Sequence, residues 1–195
     1  MTTFVLATAN PHKTREMLAI FAELHIEVAP RPRDIGEVAE TSETLEGNAL
    51  LKARAIVEAT GLAAVADDTG LFVDALAGQP GVQSARYAGE GASDHDNVVK
   101  LLGALAGVHA TQRTASFRTV IAAVYPNGEW FAVQGELEGT ILQESRGDGG
   151  FGYDSVFVPL EGSGRTLAEL SVEEKNATSH RARALRSFAE ELSSR

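Results

Sequence analysis

The sequence predicts a mixed α/β fold: one domain over residues 1–195, its mixed sheet flanked by helices and arranged as two lobes around a central cleft. Two observations carry this. Short apolar runs alternate with helical patterns through the first half of the chain, as in strand-helix units. Further on, Pro126-Asn127-Gly128 joins two long strand-like segments, and an Asn-Gly step is a strong hairpin signal. With 195 residues, 44% hydrophobic and 23% charged, the chain can bury ~70% of its unfolded surface, which excludes disordered and low-complexity classes.

The elements follow in order. Residues 4–8 read as a buried strand; Asn10 then suits a helix N-cap and Pro11 the first helical position. The helix runs through His25, with Met17, Leu18, Phe21 and Leu24 at helical spacing. Residues 26–43 are mixed and turn-rich. A second amphipathic helix covers 45–60 and stops at Gly61. A strand over 62–66 is interrupted by Asp67-Asp68-Thr69-Gly70 and resumes over 71–73, and residues 78–91 form a Gly-rich loop. Residues 94–106 return to helical spacing, 115–125 and 129–142 are antiparallel strands, and 151–160 is a further strand. Ser171 and Glu174 can form a capping box, and a helix over 180–192 turns Leu185, Phe188 and Leu192 inward.

Composition excludes several classes of function. With 17 basic against 27 acidic residues the net charge is -10, and no Lys/Arg-rich run offsets it, so a polyanionic nucleic acid is not an expected partner. No apolar run approaches the ~20 residues that span a bilayer, and the first residues lack the basic start and apolar stretch of a signal peptide. The expectation is a cytoplasmic protein with no membrane partner. Without cysteine there is no disulfide, thiolate metal site or cysteine nucleophile, so a catalytic metal must sit on oxygen or imidazole. Lysine is scarce: Lys13, Lys52, Lys100 and Lys175 are the four in the chain.

Several segments could carry chemistry. Thr8-Ala9-Asn10-Pro11-His12-Lys13 spans a strand-to-helix turn, where free backbone N–H groups, the positive helix end and Lys13 would seat a phosphate. Its ordinary alternative is a well-capped surface helix with a solvated lysine. Asp67 and Asp68 are adjacent carboxylates of the kind Mg²⁺ takes together with substrate phosphates, though Asp-Thr-Gly is also common turn composition. Glu40 and Glu43 lie in an acidic stretch that would ordinarily be a solvated face. Residues 147–152 satisfy G-x-G-x-x-G, yet strand-like sequence precedes them and Tyr153-Asp154-Ser155-Val156-Phe157-Val158 continues as strand, so the dinucleotide reading fails. Glycines beside Phe151 and Tyr153 suggest backbone close to a planar, stacked ligand; the alternative is a glycine-bulged hairpin with both rings in the core. Lys175, His180 and Arg181 could supply phosphate charge and donors to a base. No Gly-Lys dipeptide occurs, which removes a Walker P-loop.

Thr8-x-Asn10-x-x-Lys13, Asn48-Ala49-x-x-Lys52-Ala53, Ala66-Asp67-Asp68-Thr69-Gly70, Ser84-Ala85-Arg86-Tyr87, Phe151-Gly152-Tyr153-Asp154 and Ser179-His180-Arg181 together resemble, in this order, the inosine triphosphate pyrophosphatases. These are also called XTP/dITP diphosphatases. The resemblance runs from about Val5 into the last helix. It implies an elongated, largely antiparallel sheet and Mg²⁺-dependent hydrolysis of ITP, dITP and XTP to monophosphate and pyrophosphate, cleansing the nucleotide pool. It further implies that Thr8, Ala9, Asn10, Pro11, His12 and Lys13 hold phosphate, that Glu40 and Asp68 serve the metal, and that Asp68 accepts the proton. Lys52, Thr69, Phe151, Gly152, Tyr153, Asp154, Lys175, His180 and Arg181 would contact substrate. Such proteins are commonly homodimers. Ala9 and Gly47 depart from the family's usual residues without removing a functional side chain. Two other readings stand beside it: a pyrophosphatase acting on pyrimidine or other modified nucleotides, and a nucleotide-binding regulator without turnover. The Asp67-Asp68 pair argues against the regulator, which has no use for metal-activated water.

Overall fold

Local chemistry sets most of the elements in the computed structural model, which describes residues 3–195. β1 (Phe4–Leu6) leads into α1 (Pro11–Glu23), where the Asn10 side chain accepts from the His12 and Lys13 amides at 2.9 and 3.2 Å and Pro11 takes the first turn. α1 buries Met17, Ile20 and Phe21, whereas Leu18, expected inward, is 38% exposed. One residue beyond Met17 it lies ~100° around the helix, off the buried stripe. β2 (Val28–Ala29) is too short to leave a sequence pattern. α2 (Leu45–Thr60) is capped by Thr44 and ends at Gly61 in the left-handed region.

β3 (Ala64–Val73) is one uninterrupted strand, which corrects the expected break at residues 67–70. The carboxylates there need no turn, because lysines meet them within the fold. Nor is the stretch 78–91 all loop: it holds β4 (Pro80–Gly81), antiparallel to β3, and a single 3-10 turn at Ser84–Arg86. α3 (Asp94–Ala104) carries a Ser93/Asp96 capping box. β5 (Thr114–Val124) and β6 (Trp130–Ile141) form the expected hairpin, closed by the Tyr125 amide on the Glu129 carbonyl at 2.8 Å.

The strand expected over 151–160 shrinks to β7 (Phe157–Pro159), antiparallel to β6, while residues 151–156 are turns. Gly150 and Gly152 have positive φ, and the Asp154 carboxylate accepts from the Phe151 amide at 2.8 Å, so the chain folds on itself before it can extend. α4 (Val172–Thr178) starts at the Ser171/Glu174 capping box, and α5 (His180–Ser194) is the last helix.

The strands lie in the order β2-β1-β3-β5-β6-β7, with β4 added on β3. β1 runs parallel to β2 and β3, whereas β4 on β3 and β7 on β6 run antiparallel. The sheet is mixed and flanked by helices, as the sequence predicts, and mostly antiparallel, as the resemblance implies. The chain divides into two compact units. The first comprises the described residues through Asp68, Thr119–Gly135 and His180–Arg195; the second comprises Thr69–Arg118 and Glu136–Ser179. Each has its own core: Phe4, Met17, Phe21, Ile121, Phe131 and Phe188 in the first, Leu71, Leu101, Phe117, Leu137, Tyr153 and Phe157 in the second. No described helix is long and apolar enough to cross a membrane.

Candidate active site

In the first unit, Asp67 and Asp68 are consecutive residues of β3, so their side chains leave opposite faces of the strand. Each meets its own cation. Asp67 is fully buried and accepts Lys13 Nζ at 3.0 Å, with Arg181 Nε at 3.6 Å. Lys13 comes from the first turn of α1, and Arg181, only 1% exposed, comes from the first turn of α5, where it also pairs with Glu16. Asp68 accepts Lys52 Nζ at 3.0 Å on Oδ1 and Asn48 Nδ2 at 3.3 Å on Oδ2. Asn48 and Lys52 are one turn apart on α2 and share a face.

Lys52 Nζ also donates to Glu40 Oε1 at 2.8 Å, and Asn48 Oδ1 accepts the Ser42 amide at 2.9 Å, holding the segment that delivers Glu40. Glu40 and Asp68 thus converge on one ammonium. Glu43, the other acid of that stretch, is exposed.

The neighbouring aspartates are driven in opposite directions. Burial opposes ionisation of Asp67, but Lys13, Arg181 and Lys52 outweigh it and hold the carboxyl well below the usual carboxylate range. At Asp68 burial prevails over Lys52 and Lys13, with Glu40 adding repulsion, and its pKa rises. Burial pulls the Lys52 pKa down, yet Asp68, Asp67 and Glu40 together outweigh it and raise it. Adjacent carboxyl groups pushed apart in this way can divide the work of fixed anion and proton acceptor.

In the turn from Thr8 to Lys13, the expected phosphate seat, the groups are already partnered within the protein. The His12 and Lys13 amides, expected free, are taken by the Asn10 side chain, and Lys13 reaches back to Asp67 instead of standing in solvent. Thr8 is buried and Ala9, Asn10, Pro11 and His12 are exposed. His180, beside Arg181 at the start of α5, is 3% exposed.

In the second unit, Asp154 accepts the Phe151 amide and Lys175 Nζ, the latter at 2.5 Å, and that ammonium stands 4.6 Å from the centre of the Phe151 ring. Phe151 and Gly152 are half-buried, and the Gly152 amide is held by Asp94 at 2.7 Å. Tyr153 takes the core alternative: its phenol donates to the Ser84 carbonyl at 2.8 Å, because a buried hydroxyl needs a partner and finds one there. Thr69 is half-buried on β3.

Sequence reasoning quotes Asn48 within a motif but gives it no role, and it does not single out Glu16. Asn48 carries a usable signal, since it precedes Lys52 by four residues on one helix. Glu16 carries none, because its partner Arg181 is 165 residues away.

The chain belongs to the Ham1 family, whose model matches residues 4–191. A protein of Geobacter sulfurreducens named dITP/XTP pyrophosphatase is 52% identical over 190 residues, covering 95% of this chain and 94% of that one. A solved HAM1 protein of Coxiella burnetii superposes with a TM-score of 0.89 at 40% identity, covering 100% of both chains. The nucleoside-triphosphatase, or dITP/XTP pyrophosphatase, of Mycobacterium abscessus superposes with a TM-score of 0.76 at 42% identity over 96% of this chain and 97% of that one.

Proposed function

We propose that this protein hydrolyses the non-canonical purine nucleoside triphosphates dITP, XTP and ITP to monophosphate and pyrophosphate, cutting between the α and β phosphorus. The relatives' names support the reaction, and the observation that carries it onto this chain is the pair Glu40 and Asp68 gathered on the Lys52 ammonium.

Glu40 and Asp68 suit a divalent ion of the Mg²⁺ type, since their oxygens already converge on a cation. Among the described residues no group of three or more acidic or imidazole side chains is disposed to hold a metal, so such an ion would draw its remaining ligands from water and phosphate, as Mg²⁺ does. When bound, it would acidify water and neutralise phosphate charge. Asp68, with its raised pKa, is suited to accept the proton of the attacking water. Asp67 stays ionised and keeps Lys13 and Arg181 in place. Lys13 and Lys52 counter the charge that grows on the departing pyrophosphate.

In the second unit Phe151, backed by Lys175 and Asp154, offers a ring face for a purine; in the first unit, His180 and Arg181 are the residues that the resemblance makes substrate contacts. A donor suits the O6 acceptor of hypoxanthine or xanthine and opposes the amino group of adenine. We further propose a cytoplasmic enzyme, since its substrates would come from the intracellular nucleotide pool, and a homodimer, which the resemblance to commonly dimeric pyrophosphatases supports and sedimentation equilibrium tests.

The deciding experiment is pyrophosphate release from dITP, XTP, ITP, GTP and ATP with and without Mg²⁺. We expect turnover of the first three, strong discrimination against ATP and dependence on the ion. Equal use of ATP, or release of orthophosphate in place of pyrophosphate, overturns the proposal.

A further inference from the structure

We infer that Lys52 is a built-in competitor of the divalent ion: without nucleotide its ammonium holds the place between Glu40 and Asp68, so metal and nucleotide enter together. This rests on the reading of Glu40 and Asp68 as the residues that hold the metal.

The geometry leaves little alternative for these groups. The Lys52 side chain is 12% exposed and bonds Glu40 at 2.8 Å and Asp68 at 3.0 Å, so the ammonium does not sample solvent freely. Neither acid can easily turn away from it. Asn48 restrains the other oxygen of Asp68, and through the Ser42 amide it restrains the segment that carries Glu40. Asn48 and Lys52 sit on one face of α2, which makes the three-way contact a property of the fold.

Two carboxylates and one ammonium leave a single net negative charge. A divalent ion added beside the ammonium would crowd two cations onto the same oxygens, whereas an ion that replaces it leaves the group neutral. The displaced ammonium then needs a new anion within the reach of its stem, and the phosphates of the nucleotide are that anion. Linkage requires the effect to be mutual: nucleotide strengthens metal binding by the factor with which metal strengthens nucleotide binding.

The test is Mn²⁺ binding to the full chain, read by electron paramagnetic resonance, with the α,β-imido analogue of dITP absent or present and its own chelation subtracted. Without the analogue we expect wild type to bind Mn²⁺ at least ~10-fold more weakly than Lys52→Met, within the usual range of coupling between sites. The analogue should close that gap by raising the wild-type affinity. Equal affinity in wild type and Lys52→Met, with binding lost in Asp68→Asn, sinks the inference and leaves the metal reading intact. Unchanged binding in both Asp68→Asn and Glu40→Gln sinks the metal reading itself. If Lys52→Met does not fold, wild type alone decides: Mn²⁺ affinity that the analogue does not raise overturns the inference.

Discussion

Asp68→Asn keeps the shape of the side chain and removes its charge, so turnover should fall by ~10² or more while Lys52 retains Glu40 and the fold survives. A steady-state assay beside a melting curve checks both halves, and near-native turnover would clear Asp68 of its role. The pH behaviour of the two aspartates should differ. In the metal-free protein burial holds the Asp68 carboxyl above the ordinary ~3.9 of an aspartate, which a carbon-13 titration of the side-chain carboxyls checks. A titration at the ordinary value would contradict the burial argument. Asp67 is the reverse case, its folded carboxyl lying below the unfolded ~3.9. Its contribution to stability is then full above that range and is lost as pH falls through the lower folded value. The Tm difference between wild type and Asp67→Asn should be widest near neutrality and close as the solution is acidified below ~4.

Strand β6 and helix α5 meet backbone to backbone at Gly135, where a Cβ would fall 2.2 Å from the His180 carbonyl and 2.3 Å from the Ala184 amide. Gly135→Ala should therefore lift the start of α5, cost about 1–3 kcal/mol, and raise KM more than it lowers kcat, because His180 and Arg181 move with the helix. An unchanged Tm would show that the helix gives way freely. The same scale shows what a sequence can reveal. Helix α2 and the β5–β6 hairpin are legible because their cap, stop and turn residues lie within the segment itself. β2 is two residues long, and β3 hides behind two aspartates whose neutralising lysines are distant in sequence. Residues 151–156 look extended until Asp154 is known to tie back to Phe151. Of the candidate site, the motif residues could be named from the sequence, but their partners could not: nothing local says that Arg181 faces Asp67 or that the Tyr153 phenol meets the Ser84 carbonyl.

Phe188 stacks with Phe131 at 5.2 Å and meets Phe4 and Phe21 edge-on at 5.7 and 5.8 Å, so one late helix completes a core begun by the earliest strand. Phe188→Ala should cost about 3–5 kcal/mol and lower Tm by ~10 °C or more, as thermal unfolding will show. A small change would mean that the core of the first unit closes without α5. Net charge of -10 gives the molecule long-range repulsion from polyanions, which leaves recognition of a phosphate to the few lysines held at short range. The pairing of Arg181 with Glu16 across 165 residues also has a meaning for synthesis on the ribosome. A chain made from its amino end produces Lys13, Lys52 and both aspartates long before the arginine that steadies Asp67, so the nascent protein carries the reacting groups without their final alignment. Catalytic competence should therefore arrive abruptly, with the emergence of α5, instead of growing as the polypeptide lengthens.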